Sequence, residues 1–238
     1  MKLFPDNASA VGQYVDNLFY LALKLTGIAF ALVVVILVYF IIRYKAKKDV
    51  KAHHTYGNSR NAVFLTLLVA LIVFFAIDVN LAFHDHFAWE KTWGRPPHGN
   101  PLLIEVQPQQ FAWNIRYAGA DGEFKTPDDV TTINQMHVPV NRPVIVALQS
   151  KDVVHSFFLP NFRIKQDAVP GIITSLFFMA TKEGAFDIAC AEHCGLGHYR
   201  MRGILTVEPE EKFQGWLNQQ GANAPDLTWG WKWGSIKE

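Results

Sequence analysis

The sequence predicts a two-helix transmembrane hairpin that carries an all-β sandwich or barrel. Three observations lead there. Two long apolar runs lie before residue 84, a strongly basic stretch separates them, and short β-type runs punctuated by turn signals follow residue 100.

Residues 18–42 form a run of 25 with one charge, Lys24, and residues 62–83 a run of 22 with one charge, Asp78. At about 1.5 Å per residue either is long enough to cross the hydrocarbon layer. Both runs are apolar on every side rather than striped, which argues against a pair of buried core helices. The first is too long for a signal-peptide core, and no small-residue cleavage site follows it. The connector, residues 43–61, holds Arg43, Lys45, Lys47, Lys48, Lys51 and Arg60 against Asp49 alone, whereas residues 1–17 hold Lys2, Asp6 and Asp16. That bias places the connector in the cytoplasm, and both termini with everything after Phe83 on the outer side. The connector could also meet anionic lipid. Lys24 and Asp78 fall at similar depth near the outer face. Either they pair, or Lys24 snorkels to the headgroups while Asp78 faces a partner subunit.

Strand candidates are residues 102–106, 111–117, 133–138, 143–148, 153–159, 173–180, 185–189 and 203–207. Ala120-Asp121-Gly122, Val140-Asn141-Arg142-Pro143, Val169-Pro170-Gly171 and Glu183-Gly184 separate them. Pro209-Glu210-Glu211 opens a short helix through Leu217, with acids in its first turn. The expected organisation is an outer N-terminal segment, 1–17; the hairpin, 18–83; a semi-rigid linker, 84–100, with Asp85, Glu90 and Pro96-Pro97; the β domain, 101–220; and a tryptophan-rich tail, 221–238. The tail strip Trp229-Gly230-Trp231-Lys232-Trp233 could lie at the membrane interface, against another subunit, or packed on the chain.

The net charge of +1 hides an asymmetry. Residues 1–83 hold eight Lys/Arg and four Asp/Glu, and residues 84–238 hold fourteen and seventeen, a balance of −3. The outer part therefore has no basic field for nucleic acid. Only two cysteines occur, Cys190 and Cys194, which excludes a disulfide-stapled scaffold and an all-cysteine zinc or iron–sulfur site.

The chemistry concentrates in Cys190-Ala191-Glu192-His193-Cys194-Gly195-Leu196-Gly197-His198-Tyr199-Arg200-Met201, with a further imidazole upstream at His155. Thiolate, imidazole and thioether form a soft donor set that suits copper better than zinc, calcium or magnesium. A mononuclear electron-transfer copper needs only one cysteine. Two thiolates four residues apart can bridge two coppers, each keeping one histidine, with Met201 a weak ligand to one and a backbone carbonyl available to the other. The competing readings are a Cys190–Cys194 disulfide, a structural Cys2His2 zinc site that leaves Met201 idle, and a core role for His155.

The pattern C-x-E-x-C-x3-H-x2-M resembles the dinuclear CuA motif of cytochrome c oxidase subunit II, and His155 stands at the family's spacing. Lys165-Gln166-Asp167-Ala168-Val169-Pro170-Gly171 resembles its K-x-D-A-x-P-G stretch, and Gln110-Phe111-Ala112-Trp113 its aromatic segment. The resemblance covers about residues 15–217. It implies a cupredoxin-like Greek-key domain and copper ligation by His155, Cys190, Cys194, His198 and Met201 through side chains and by Glu192 through its carbonyl. The Glu192 carboxylate would reach a magnesium ion shared with the catalytic subunit. His193 is at a variable position of the motif.

Two departures matter. Phe111 stands where the family usually has the tryptophan through which electrons enter from cytochrome c, and Gly57-Asn58-Ser59-Arg60-Asn61 lacks the glutamate that many members carry at the cytoplasmic start of the second helix. If residues 111–117 form a strand, Phe111 and Trp113 share a face, with Phe111 the contact patch and Trp113 its support. Asp121, Glu123, Asp128 and Asp129 are candidates for a rim that docks a basic donor, or an ordinary solvated loop.

The function that the resemblance implies is electron entry into a respiratory haem-copper oxidase. Cytochrome c reduces the copper pair, and haem in the catalytic subunit receives the electron. No C-x-x-C-H haem motif is present, so oxygen chemistry belongs to another subunit. The alternatives are a CuA-bearing subunit of a nitric oxide reductase and a membrane-anchored mononuclear copper or zinc protein without electron transfer. The basic connector and the lack of a cleavable leader favour a bacterial plasma membrane over the mitochondrial inner membrane.

Overall fold

The computed structural model describes residues 3–51, 54–94, 99–119 and 121–221. The chain divides into two units, residues 14–91 and residues 1–13 with 92–238.

In the first unit, α1 (Gly12–Arg43) is followed by α2 (Arg60–Val73), a π-helical turn (Phe74–Val79) and α3 (Asn80–Thr92). Ser59 caps α2 by accepting a hydrogen bond from the Ala62 N–H at 3.3 Å. The helices Gly12–Arg43 and Arg60–Thr92 are 32 and 33 residues long, and none of their most apolar windows is buried by protein. Apolar surface on all sides with nothing packed on it requires lipid, so the chain is membrane-anchored. Within the hydrocarbon the hydroxyls of Thr26 and Thr66 donate back to the carbonyls of Ala22 and Ala62. Tyr14 near the start of α1 meets Phe87 on α3 edge-on at 5.7 Å, as an antiparallel hairpin requires. One expectation changes here. The apolar run ends at Phe83, but the helix continues to Thr92 through what reads as linker, because residues 84–92 contain no Gly or Pro to stop it. Lys24 and Asp78 form no ion pair among the described residues, and Asp78 lies in the π-helical turn. Linker residues 95–98 and tail residues 222–238 lie outside the described residues.

The second unit is a sandwich of two five-stranded sheets, ordered β3-β2-β1-β5-β8 and β4-β10-β9-β6-β7. The strands are β1 (Leu102–Gln109), β2 (Ala112–Tyr117), β3 (Val130–Ile133), β4 (Gln135–Pro139), β5 (Pro143–Leu148), β6 (His155–Leu159), β7 (Ile164–Ala168), β8 (Thr174–Met179), β9 (Gly184–Cys190) and β10 (Arg202–Glu208). β1 runs parallel to β5 and β4 parallel to β10, while the remaining pairs are antiparallel. Alternating inward residues fill the core, among them Trp113, Ile115, Val144, Val146, Phe157 and Leu205.

The run expected as one strand over 133–138 is two strands in different sheets. Asn134, at φ +60, breaks it and lets the chain cross between layers. β7 has no hydrophobic alternation in Ile-Lys-Gln-Asp-Ala that would announce it, because it is an edge strand with exposed Lys165 and Asp167. α4 (Glu210–Gln220) follows β10 as expected, buries Phe213, and stacks Trp216 on His137 at 3.9 Å.

The N-terminal residues belong to this unit. Ala8 is fully buried, Ser9 bridges Ala180, and the Ala8 N–H donates to the Asn161 carbonyl at 2.9 Å. Arg163 donates to the Pro5 carbonyl at 2.7 Å and lies 5.2 Å from the Phe4 ring centre. Residues 4–10 thus strap the free edge of β8.

Candidate metal centre

Five connections meet at one end of the sandwich: the β1–β2 turn, the β3–β4 junction at Asn134, the β5–β6 loop, the β7–β8 loop and the β9–β10 loop. His155 opens β6 and Cys190 closes β9. Their strands are neighbours, with Phe157 opposite Cys190, so the sheet itself brings the two side chains together. The residues after Cys190 turn through Cys194, enter one 3-10 turn (His198–Arg200), and deliver Met201 to the start of β10.

The Cys190 and Cys194 sulfurs are 3.9 Å apart. His155 Nδ1 lies 3.9 Å from the Cys190 sulfur, and His198 Nδ1 lies 3.7 Å from the Cys194 sulfur. Met201 Sδ is 3.7 Å from the Cys194 sulfur, and the Glu192 carbonyl oxygen is 3.1 Å from the Cys190 sulfur. The sequence-predicted donors therefore converge, two sulfurs in the middle with one imidazole on each. His155, Cys194 and Met201 are buried; Cys190 and His198 are partly so. The cysteines are free, so the disulfide alternative is not what the fold holds. A tetrahedral zinc site would leave the Met201 sulfur and the Glu192 carbonyl without a use. Lone-pair donors gathered this closely fit soft metal ions, and the His155–Cys190–Cys194 cluster is consistent with a copper site.

The surroundings act on the two thiols in opposite directions. Burial pushes Cys194 up to about 11, and the neighbouring Cys190 charge adds to it. Burial acts on Cys190 in the same direction, but hydrogen bonds from His155 and from the backbone at Ser156 and Glu192 outweigh it and bring that thiol down to about 6.

Two residues missed in the sequence support this centre. Asp152 Oδ1 lies 2.9 Å from His155 Nε2. Accepting the Nε2 proton fixes the tautomer and leaves Nδ1 to face the sulfurs. The carboxylate is itself held by the N–H groups of Gln110 and Val153, at 2.7 Å each. Burial works against ionisation of Asp152, but these two amides and His155 hold it below the usual carboxylate value. Gln110 Nε2 also donates to the Cys194 carbonyl at 2.6 Å. The available signal was spacing: Asp152 is three residues before the candidate donor His155, and Gln110 precedes Phe111.

Two expectations are corrected. Phe111 lies in the β1–β2 turn and not on the strand, so it does not share a face with Trp113. Phe111 is 38% exposed, while Trp113 is fully buried with its ring 6.3 Å from that of His155. Asp129 is no rim residue: it is fully buried, and Arg116 Nε lies 3.4 Å from it. Asp121 and Glu123 are exposed, but their loop follows Tyr117, at the end of β2 opposite Phe111, roughly 17 Å away at strand rise.

Fold and site define a class: a membrane-anchored β-sandwich protein with a soft, copper-type donor set. A profile described as "Cytochrome C oxidase subunit II, periplasmic domain" matches residues 116–207. The alternative cytochrome c oxidase subunit 2 of Bradyrhizobium diazoefficiens is 30% identical over 229 residues, covering 87% of this chain and 80% of that protein. Cytochrome c oxidase subunit 2 of Thermostichus vulcanus is 30% identical over 270 residues, covering 93% and 80%. The crystal structure of the periplasmic domain of subunit II of cytochrome oxidase (CoxB) of Bradyrhizobium japonicum is 28% identical, with a TM-score of 0.47 over 53% of this chain and 96% of that one. The chain belongs to the cytochrome c oxidase subunit II family, and is a subunit of a haem-copper oxidase, an oxidoreductase complex, with its β domain on the periplasmic side.

Proposed function

We propose that this chain is the electron-entry subunit of a respiratory terminal oxidase in a bacterial plasma membrane. In this reading His155, Cys190, Cys194, His198 and Met201 through side chains, and Glu192 through its carbonyl, hold a dinuclear copper centre. That centre supplies one-electron storage between cytochrome c and the haem of the catalytic subunit. The observation that carries the reading is the pair of sulfurs 3.9 Å apart with a separate imidazole against each. One metal would not need both halves.

The protein's part is to hold the donors. His155 and Cys190 sit on paired strands, which keeps rearrangement small when the charge changes. Phe111, at the exposed turn over the Cys194–His198 stretch, is the donor's entry contact. Trp113, buried in the core, packs beside His155. The Glu192 carboxylate is exposed on the same loop, free to reach a magnesium ion shared with the catalytic subunit.

Metal analysis and electron spin resonance of the purified complex test this. Two coppers per chain with a mixed-valence signal are expected. Cys194→Ser should abolish that signal, because a hydroxyl bridges soft ions poorly. Met201→Leu should keep the copper and change its potential. One zinc and no copper would overturn the reading. Oxygen against nitric oxide turnover identifies the acceptor.

A further inference from the structure

Gln110 contacts neither sulfur nor imidazole, yet it touches both halves of the centre. Its main-chain N–H holds Asp152 Oδ2 at 2.7 Å, and Asp152 Oδ1 holds His155 Nε2 at 2.9 Å. Its side-chain amide holds the Cys194 carbonyl at 2.6 Å. These partners are 42 and 84 residues away in sequence, on separate loops. The ligand loop is shaped to receive this side chain. Gly195 has φ +134, and a Cβ there would come within 2.7 Å of Gln110 Nε2. A residue other than glycine would be strained and would push the amide away. The strand that follows the turn is tied to the next sheet crossing, since the Trp113 N–H donates to Asn134 Oδ1 at 2.8 Å.

We infer that Gln110 is a positioning residue that clamps the His155 and Cys194 sides of the copper centre into one geometry. This rests on the copper reading above. One residue bonded to both loops makes a displacement of the Cys194 loop a displacement of Asp152, and through it of the His155 ring. The hydrogen bonds act on the orientation of donor atoms, which is where supporting contacts exert their effect on metal affinity.

The test uses the assembled oxidase with Gln110→Met, which keeps the length of the side chain and removes its N–H donor. Copper loss to a chelator, the reduction potential, and the nitrogen couplings of the two ligand histidines are measured beside the circular dichroism of the β domain. The variant should lose copper about tenfold faster, and the coupling assigned to His155 should change although the substitution is remote from it. Asp152→Asn should shift the same coupling. Should Gln110→Met fail to fold, Gln110→Glu, which sets a carboxylate against the Cys194 carbonyl, is read in its place. A folded variant with wild-type His155 coupling and copper retention overturns the clamp and leaves the copper reading standing. Absence of a mixed-valence copper signal from the wild-type complex removes both.

Discussion

The ring of Phe111 occupies the space a side chain at Gly197 would need: a Cβ built there collides with three of its ring carbons. Gly197 has φ −88, so the requirement is for room and not for a left-handed backbone. Gly197→Ala should therefore displace the ring or the ligand loop and destabilise the domain by about 1–3 kcal/mol, the usual range for overpacking. Thermal unfolding reads the loss. Adding Phe111→Leu should recover part of it, and no recovery would place the clash elsewhere.

The position of Phe111 also separates two ideas about the donor. The turn lies at the end of the sandwich where the cysteines and His155 gather, whereas Asp121 and Glu123 lie beyond the other end of β2. Phe111→Ala should slow reduction by cytochrome c in stopped flow and leave the copper spectrum unchanged. Charge reversal at Asp121 and Glu123 should leave both the rate and its salt dependence as in the wild type. A rate lowered by the reversal, and not by Phe111→Ala, would move the docking site to the far loop.

The candidate donors were legible because the chain carries five of them within 12 consecutive residues, and their soft chemistry is consistent with copper. The strand set was legible wherever a segment is half-buried, as in Pro143–Leu148, whose bounds the apolar run marks directly. Legibility failed where a residue's role depends on what meets it in space. Nothing local to Asp152 or Gln110 says that two loops 42 residues apart meet. Asp129 reads as one acid among four in a polar loop, and only the fold places Arg116 beside it. Phe111 and Trp113 were assigned one face because the turn was expected to end one residue earlier.

The N-terminal strap should open before the sandwich does. Its hold on the β domain is a few hydrogen bonds, the buried Ala8 and the Arg163 stack on Phe4. Arg163→Ala removes the stack and the bond to the Pro5 carbonyl. The expected result is faster amide exchange confined to residues 4–10 and 179–181, with the strands around Trp113 as protected as in the wild type. Uniform loss of protection would mean that the strap is part of the global core and not a local unit.

The last prediction concerns the buried charges at the far end of β2. Arg116 Nη1 lies 3.4 Å from Glu105 and Nε lies 3.4 Å from Asp129, with all three side chains fully buried. Burial raises Asp129 above the ordinary carboxylate value of 3.8, more than the Lys125 amide and the Arg116 charge lower it. A carboxyl raised in the fold contributes stability that is fully present below its unfolded value and is lost as pH rises through its folded value. Arg116→Leu removes the cation and lifts Asp129 further. At neutral pH this should cost about 3–5 kcal/mol, the usual result of breaking a buried pair. The deficit should shrink as pH falls toward about 4, because a protonated Asp129 no longer needs a cation beside it. Denaturant unfolding of the wild type and variant at pH 7 and at acidic pH measures the difference, and a deficit that does not change with pH would mean that Arg116 acts through packing and not through charge.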